Sequence, residues 1–172
     1  ADLRGAPVLV IGAGIMGAGI AQTAAQAGHP VLLFDAREGA AANAIKATGE
    51  ALDKLVAKGK LTAYDASATL ARLTPVGALQ DAAHVALAIE AIVEDLGAKR
   101  ALLRDLESVV GADCVLASNT SSISITALAN GLAHPGRLVG MHFFNPVPLM
   151  KLVEVISGLH TDSKVADAIF AL

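Results

Sequence analysis

Two side chains near the C-terminal end of the sequence, His142 and Glu154, have the residue types that a proton transfer needs. An imidazole with an ordinary pKa of about 6.5 exchanges protons near neutral pH. Glu154 stands between Val153 and Val155, and a carboxylate among apolar neighbours needs a polar partner. If Glu154 held one ring nitrogen of His142, the other nitrogen could take the hydroxyl proton as a hydride leaves an alcohol carbon. In the alternative interpretation, His142 bonds only the backbone and Glu154 faces solvent on an edge strand.

A polar segment, Ser118–Ser122, follows another apolar run and offers further hydrogen-bonding groups. Asn119, Ser121 and Ser122 could bond a substrate oxygen or the ribose of a nucleotide. Serine and asparagine after a strand also commonly form the N-terminal cap of a helix, and the residue types leave both interpretations open. No nucleophile-elbow pattern surrounds Ser121, so serine-hydrolase chemistry is not predicted.

The N-terminal segment has the pattern of a dinucleotide-binding unit. Gly12, Gly14 and Gly17 follow the β-branched run Val8–Ile11 in the spacing G-x-G-x-x-G, and a helix-length stretch and a second apolar run come next. In this motif the first glycine permits a tight turn, the second lets the backbone approach a pyrophosphate, and the third lets the helix pack closely. The N-terminus of the helix adds N–H groups and a partial positive charge that attract phosphates.

Asp35 stands about 20 residues beyond the glycine cluster, where an acid hydrogen-bonds the ribose 2′-hydroxyl of NAD. A carboxylate there repels the 2′-phosphate of NADP, although Arg37 is near enough to accommodate that phosphate. The sequence therefore predicts NAD as the cofactor. Its predicted contacts are with Asp35 and with the residues of the turn, namely Gly12, Gly14, Ile15, Met16 and Gly17. The alternative is a glycine-rich turn without a ligand, with Asp35 as a simple strand-end acid.

Apolar runs that alternate with helical patterns predict an α/β fold with a doubly wound, parallel, Rossmann-like sheet. The predicted strands are 8–11, 31–34, 73–76, 85–90, 114–118, 138–144 and 151–156. The predicted helices are 15–27, about 38–58, 61–73, 95–110, 125–130 and 161–172, with N-caps at Thr62, Ser124 and Thr161. The helices 38–58 and 61–73 form an excursion larger than a crossover needs. The excursion could reach over a ligand, or be a plain helical hairpin packed on the sheet.

Ligands bind in such folds at the carboxyl ends of the strands. The glycine turn, Asp35, the segment Glu90–Glu94, the segment Ser118–Ser122 and His142 all follow predicted strands. We therefore expect these groups to meet at a single rim, which favours a functional site over scattered surface polarity.

The composition limits the remaining classes of function. The 172 residues suffice for one domain with a sizeable core, and 54% of them are hydrophobic. The net charge of −3, without a basic patch, argues against nucleic acid as a partner. Cys114 is the only cysteine and lies in an apolar strand pattern, which predicts a buried thiol and no intramolecular disulfide.

The uncharged stretch from Gly5 to Phe34 is as long as a membrane span. Its glycines, its glutamines and the His29–Pro30 break fit a strand, a helix and a second strand better. We therefore expect no membrane segment and a soluble, reducing, cytoplasmic setting. The remaining four histidines lack metal-ligand spacing, so no metal site is predicted. We expect them at turns or on the surface: His29, His84, His134 and His160.

Four segments together resemble the NAD-binding domain of the L-3-hydroxyacyl-CoA dehydrogenase family: VLVIGAGIMGAGIAQ, VEDLGAK, ASNTSSISIT and GMHFFNPVPLMKLVEVI. The resemblance covers nearly the whole chain, and the block that contains the histidine is very specific. It implies NAD-dependent oxidation of the 3-hydroxyl of an (S)-3-hydroxyacyl-CoA to a 3-ketone, in fatty-acid β-oxidation or related catabolism.

The resemblance also implies roles for single side chains on the substrate side. His142 resembles the catalytic base and Glu154 its carboxylate partner. Ser121 resembles the serine that bonds the reacting oxygen of the substrate. Asn145 belongs to the same signature and is expected to support the substrate end of the site. Lys58 resembles a contact to coenzyme A on the helical excursion.

On the cofactor side, Asp35 resembles the ligand of the adenosine ribose, and Asn119 the asparagine near the nicotinamide. Glu94 and Lys99 resemble further residues on the cofactor side.

The coenzyme A contacts implied by the resemblance have an alternative. Lys60 resembles such a contact less closely than Lys58 does, and a solvated lysine face fits both residues slightly better. Ala51 stands where some members have a serine that contacts coenzyme A.

The family continues from this domain into a helical C-terminal domain that supplies a further active-site asparagine and the dimer interface. The helical pattern at Leu172 has no polar tail or glycine stop. We therefore expect residues 1–172 to be the NAD-binding domain alone, and the full-length protein to be a homodimer. Two other functions stay open: a non-catalytic dinucleotide-binding module, and a dehydrogenase for a free hydroxy acid.

Overall fold

The centre of the structure, a computed structural model that describes residues 2–150 and 152–170, is one seven-stranded sheet. Its strands are β1 (Val8–Ile11), β2 (Val31–Phe34), β3 (Leu73–Pro75), β4 (Leu87–Glu90), β5 (Val115–Ser118), β6 (Leu138–Phe143) and β7 (Val153–Ile156). The order across the sheet is β3-β2-β1-β4-β5-β6-β7. Strands β1 to β6 are all parallel to one another, as predicted.

Six α-helices connect and cover the strands: α1 (Ile15–Gln26), α2 (Ala40–Ala57), α3 (Ala63–Ala71), α4 (Leu96–Val109), α5 (Ile125–Ala129) and α6 (Ser163–Phe170). The predicted α/β, doubly wound architecture is confirmed. None of the helices within the described ranges is long and apolar enough to cross a membrane.

The central strands are buried along their whole length because helices cover both faces of the sheet. Val8 and Val10 of β1 belong to one core cluster, and Leu9 and Ile11 belong to the other. Helices α1, α2 and α6 contribute to the first cluster, and α4 and α5 to the second. Burial on both faces explains why β1, β4 and β5 are apolar without alternation, apart from Glu90 and Ser118 at the ends of β4 and β5.

Strand β7 departs from the predicted parallel sheet, because it pairs with β6 in the antiparallel direction. The described residues of the connection from β6 to β7 form no helix, and a parallel return needs a long crossover. The prediction begins this strand at Lys151, which lies outside the described residues, and β7 begins at Val153. This strand is therefore an edge strand of opposite direction to the rest.

Two of the three predicted N-caps are confirmed. The hydroxyl of Thr62 accepts the N–H of Asp65 at 3.0 Å, and that of Ser124 accepts the N–H of Ala127 at 3.2 Å. The third is wrong, because the hydroxyl of Thr161 has other partners.

Thr161 Oγ1 accepts the N–H of Gly158 at 2.9 Å and donates to the carbonyl of Leu138 at 2.8 Å, which fastens the last loop to β6. Helix α6 begins two residues later, at Ser163. Positions 171 and 172 of the predicted helix lie outside the described residues.

The lone cysteine and the isolated histidines lie mostly as expected. Cys114 is buried, and burial raises the pKa of its thiol to about 11. His29 is an exception among the histidines: it is buried, and its Nδ1 lies 2.8 Å from the carbonyl oxygen of Ala6. The other three are exposed: His84, His134 and His160.

Candidate functional site

Two neighbouring hollows open along the rim formed by the carboxyl ends of the parallel strands. The inner hollow has a volume of about 220 Å³ and is lined by Met16, Ile92, Glu94, Asn119, Thr120, Ser121, His142 and Phe143. The outer groove, of about 500 Å³, lies between the glycine turn, α2 and the segment after β6, with Gly14, Ile15, Arg37, Ala51 and Asn145 among its walls. Met16 lines one and Ile15 the other, so the glycine turn stands between them.

The glycine turn has the geometry that its motif predicts. Gly12 adopts a φ of +105°, and a Cβ there would lie 2.5 Å from the carbonyl oxygen of Ala91. A Cβ on Gly17 would lie 1.6 Å from the carbonyl oxygen of Gly12, so any side chain would separate α1 from the turn. A Cβ on Gly14 would meet nothing within 4 Å, which leaves open space in front of the α1 N-terminus.

That open space fits a pyrophosphate. Gly14 is the N-cap of α1 and provides no side-chain cap, and Ile15 is exposed. The first N–H groups of a helix have no intrahelical acceptor, so they are available to an anion in this space. The observed turn therefore has the donors and the room that a dinucleotide requires.

Asp35 directly follows the last residue of β2, and its carboxylate faces the glycine turn. Its Oδ2 accepts the N–H of Ala13 at 2.8 Å, and its Oδ1 accepts the N–H of Arg37 at 2.8 Å. The Arg37 guanidinium adds a bidentate pair, from Nε to Oδ1 at 3.1 Å and from Nη2 to Oδ2 at 3.0 Å. Hydrogen bonding from the Arg37 side chain, above all, lowers the pKa of Asp35 to about 2.

The predicted contact between His142 and Glu154 is present. The two residues are direct partners in the antiparallel register of β6 and β7, and Nδ1 lies 3.1 Å from Oε1. The reason given for the pairing is wrong, however. Val153 and Val155 turn to the opposite face of the strand, and the Glu154 side chain remains 54% exposed. Glu154 is thus both an outward-facing residue on an edge strand and a partner of His142.

Glu94 is hydrogen-bonded to three residues of the segment after β5. Its carboxylate accepts hydrogen bonds from Thr120 Oγ1 at 2.8 Å, from the backbone N–H of Ser121 at 3.1 Å, and from the hydroxyls of Ser121 and Ser122 at 3.4 Å each. Burial raises the pKa of Glu94, but the hydrogen bonds from Thr120 and Ser121 and the charge of Lys99 outweigh it, so the pKa is lowered. The helix-cap interpretation of Ser121 and Ser122 is wrong, since Ser124 caps α5.

Asn119 connects the end of β5 to β6. Its Oδ1 accepts the backbone N–H of Phe143 at 3.2 Å, next to His142. This orientation directs the Nδ2 group, a donor, away from that bond. Asn119 is also one of the residues that line the inner hollow.

Lys99 lies beneath the rim, with its ammonium 3.6 Å from Oε1 of Glu94 in the inner hollow, and the cofactor-side role that the resemblance implies for it stays a prediction. Its side chain has no exposed surface, and neither has that of Glu90. The ammonium donates to both carboxylate oxygens of Glu90, at 2.7 and 2.9 Å, and to the carbonyl of Asn119 at 3.0 Å. Glu90 also accepts the hydroxyl of Ser118 and the N–H of Ile92. This buried cluster joins β4, α4 and β5 under the inner hollow.

Asn145 and Lys58, which are also predicted on the substrate side, do not line the inner hollow. Asn145 is exposed in the wall of the outer groove. Lys58 is the exposed C-cap of α2 and lines neither hollow.

Sequence reasoning missed the contact that shapes the floor of the outer groove. A Cβ on Gly19 would lie 2.8 Å from Cβ of Val147, which is itself buried. The segment after β6 therefore packs directly on α1. The signal was present in the sequence, because Gly19 is a glycine inside a helix and outside the G-x-G-x-x-G motif. Glycine weakens a helix interior, so its presence there indicates a close packing contact.

Comparison with known proteins identifies the chain. The family model described as "3-hydroxyacyl-CoA dehydrogenase, NAD binding domain" matches residues 7–172. The chain is 48% identical over 165 residues to the 3-hydroxyadipyl-CoA dehydrogenase of Escherichia coli (strain K12), covering 96% of this chain and 35% of the relative. It is 42% identical over 165 residues to the probable 3-hydroxybutyryl-CoA dehydrogenase of Bacillus subtilis (strain 168), covering 96% and 58%.

A solved structure agrees with these relatives. The (S)-3-hydroxybutyryl-CoA dehydrogenase PaaH1 of Ralstonia eutropha superposes with a TM-score of 0.92 at 41% identity, over 96% of this chain and 58% of that one. The chain thus spans between a third and three fifths of the length of these relatives. By the extent of the family match and the shared fold, this chain belongs to the NAD-binding domains of the 3-hydroxyacyl-CoA dehydrogenase family.

Proposed function

We propose that this chain is the cofactor domain of an enzyme that oxidises (S)-3-hydroxyacyl-CoA to 3-ketoacyl-CoA with NAD, in fatty-acid β-oxidation or related catabolism. The observation that carries the proposal is that His142, held by Glu154, opens into the same hollow as Met16 of the glycine turn. A proton acceptor and the cradle of a hydride acceptor therefore share one space.

NAD, when bound, supplies the ring that accepts the hydride. The N–H groups at the start of α1 would hold its pyrophosphate, and Asp35 would bond the adenosine ribose. Asn119 would donate to the nicotinamide half from the rim of the inner hollow. Glu94, which keeps the segment after β5 folded towards this hollow, borders the same half.

His142 acts as the general base. With Nδ1–H donated to Glu154, Nε2 is unprotonated and can accept the hydroxyl proton of the substrate. Glu154 fixes this tautomer and stabilises the imidazolium that results. Ser121 would donate to the reacting oxygen of the substrate from the opposite wall of the hollow.

Substrate specificity is proposed from the relatives and from the outer groove. The relatives are named as dehydrogenases of 3-hydroxyadipyl-CoA and 3-hydroxybutyryl-CoA, both of which are thioesters of 3-hydroxy acids. Asn145 lines the outer groove, and Lys58 would contact coenzyme A at the end of α2. Because the relatives are much longer, we also propose that the active form includes a helical second domain. The homodimer is proposed from the family resemblance, and the cytoplasmic setting from the sequence.

Two measurements test this function. Calorimetry with the isolated chain should detect NADH binding, although we expect little turnover without the second domain. In the polypeptide that carries this domain, (S)-3-hydroxybutyryl-CoA should be oxidised and free 3-hydroxybutyrate should not. A folded chain that binds no NADH would refute the cofactor role, and a preference for the free acid would refute the thioester substrate.

A further inference from the structure

Thr120 is a buried residue of the inner hollow, and the family resemblance implies no role for it. We infer that Thr120 is a positioning residue: its hydroxyl holds the Glu94 carboxylate in one orientation, which leaves the Ser121 hydroxyl available to the reacting oxygen of the substrate. The inference rests on the role proposed above for Ser121 as the donor to that oxygen. Thr120 thus acts on the reaction through Ser121, without a contact of its own to the reacting atoms.

The Thr120 hydroxyl has its proton and a lone pair both in use. The residue is only 4% exposed. Its Oγ1 donates to Oε1 of Glu94 at 2.8 Å and accepts the backbone N–H of Ile123 at 3.0 Å. An ionised carboxylate can only accept, so the hydroxyl proton points to Glu94 and a lone pair faces Ile123. This one hydroxyl therefore ties the carboxylate to the turn formed by residues 120–123.

The bonds that Glu94 accepts differ in length. Those from the Thr120 hydroxyl, at 2.8 Å, and from the Ser121 N–H, at 3.1 Å, have ordinary hydrogen-bond lengths. The hydroxyl oxygens of Ser121 and Ser122 each lie 3.4 Å from Oε2 of the carboxylate. Such contacts are longer than the roughly 2.5–3.0 Å of a good O–H···O bond. The carboxylate therefore holds the Ser121 hydroxyl only weakly, and this hydroxyl can turn to an oxygen in the hollow.

The orientation of the Glu94 carboxylate depends on the groups around Oε1. The ammonium of Lys99 lies 3.6 Å from the same oxygen that accepts the Thr120 hydroxyl. The Glu94 side chain is 38% exposed, so packing alone does not fix it. Without the Thr120 hydroxyl, the carboxylate can rotate towards the two serine hydroxyls and shorten its contacts with them. The Ser121 proton would then be committed to Glu94 and lost to the substrate.

The experiment measures kcat, KM and NADH affinity in the polypeptide that carries this domain, with (S)-3-hydroxybutyryl-CoA as the substrate. Thr120→Val removes the hydroxyl and nearly keeps the shape. We expect kcat to fall about tenfold to hundredfold, because the donor to the reacting oxygen is displaced. The dissociation constant for NADH should stay within ~threefold, since the glycine turn is untouched. Thr120→Ser keeps the hydroxyl and should retain kcat within ~threefold.

Two further comparisons distinguish a positioning role from a purely structural one. In Ser121→Ala the donor is already missing, so adding Thr120→Val should lower kcat by less than a further ~threefold. Thr126→Val is the matched control: it removes a hydroxyl that accepts the N–H of Leu159 at 2.9 Å, and Thr126 lines neither hollow. This control should leave kcat unchanged. Thermal unfolding verifies that each variant is folded, and Thr120→Ala replaces the valine variant if that one is not.

The outcomes separate this inference from the proposed function. An active unaltered polypeptide whose kcat survives the loss of the Thr120 hydroxyl would overturn the inference alone. The same holds for a full further loss of kcat in the Ser121→Ala background, for an equal loss in Thr126→Val, or for a folded Thr120→Ser variant as slow as Thr120→Val. A folded, unaltered polypeptide that does not oxidise the thioester would overturn the proposed function, and with it the role of Ser121.

Discussion

At the scale of single residues, the chemistry depends on which nitrogen of His142 carries a proton. Glu154 is an acceptor only, so the contact at 3.1 Å draws the proton to Nδ1 and leaves Nε2 as the base. The ring of Phe144, whose centroid lies 4.6 Å from that of His142, restricts the imidazole from its other side. The base is thus held by one polar and one aromatic neighbour.

Replacement of His142 by Gln should lower the rate of hydride transfer by about 10²–10⁴-fold, because the hydroxyl proton loses its acceptor. The dissociation constant for NADH should stay within ~threefold, since the glycine turn and Asp35 are untouched. Rates from NADH absorbance in the polypeptide that carries this domain, together with calorimetry, measure both. The matched control is His160→Gln, an exposed histidine outside both hollows. A parallel loss of rate and affinity would contradict the role of a base.

At the scale of secondary-structure elements, the site depends on how closely α1 approaches β1 and on how β4 and β5 are joined beneath the rim. Gly17 allows α1 to approach β1 closely, because the carbonyl of Gly12 occupies the space that a Cβ at position 17 would need. The buried Glu90–Lys99 pair joins β4 to β5, since Lys99 of α4 donates both to Glu90 and to the carbonyl of Asn119 after β5. Both contacts lie beneath the space in which the cofactor is proposed to bind, and they hold in place the elements that line it.

Substitutions at Gly17 and Gly14 should differ in their effect on the free energy of unfolding while both weaken NADH binding. Gly17→Ala forces the turn and α1 apart and should destabilise the chain by at least ~1–3 kcal/mol, with loss of NADH binding. Gly14→Ala places its methyl group in open space, so the free energy of unfolding should change by less than ~0.5 kcal/mol. NADH affinity should nevertheless fall about tenfold or more, because the methyl group occupies the pyrophosphate space. Urea unfolding and calorimetry on the two variants measure these effects, and unaltered NADH affinity in Gly14→Ala would argue against a pyrophosphate there.

The buried ion pair should show strong coupling. Lys99→Met leaves the Glu90 carboxylate buried without its cation, and we expect a loss of about 3–5 kcal/mol in the free energy of unfolding. Adding Glu90→Gln removes the stranded charge, keeps one oxygen acceptor for the Ile92 N–H and places an amide donor beside the Ser118 hydroxyl, which can accept, so the double variant should recover a large part of that loss. Urea unfolding of both variants and of Glu90→Gln alone completes the cycle. Additive losses would show that the pair is not coupled.

At the scale of the whole molecule, the carboxylates that organise the rim link stability to pH. Hydrogen bonding from Arg37 lowers the pKa of Asp35 to about 2, and the pKa of Glu94 is lowered as well. A carboxyl whose pKa is lower in the folded state stabilises the fold above its unfolded pKa, near 4, and loses that contribution as the pH falls towards the folded value.

The midpoint of thermal unfolding should therefore fall as the pH is lowered from about 5 to about 2. Asp35→Asn removes one of the titrating groups, so its midpoint should depend less steeply on pH over this interval. Scanning calorimetry at a series of pH values measures the slope, and Asp53→Asn, an exposed acid on α2 outside every described ion pair, is the control. Equal slopes for all three proteins would contradict the linkage.

The sequence by itself determined the elements and the places where they end. Buried strands, helix caps such as Thr62 and Ser124, and the G-x-G-x-x-G turn are encoded in local periodicity and in conformations that few residues can adopt. The convergence of the polar strand ends at one rim followed from the same information, because parallel strands end on the same edge of a sheet. The resemblance then indicated which side chains to place there.

Only the tertiary structure decided the contacts between these elements. The opposite direction of β7 and the register that pairs His142 with Glu154 depend on sheet order, which no local pattern carries. The burial of the Lys99 ammonium against Glu90 depends on the packing of α4 on β4 and β5. The carboxylate of Asp35 pairs with its near neighbour Arg37, but its bond from the N–H of Ala13 exists only because the fold brings the glycine turn to the end of β2. Each of these outcomes depends on distances between residues far apart in the chain, and folding alone sets those distances.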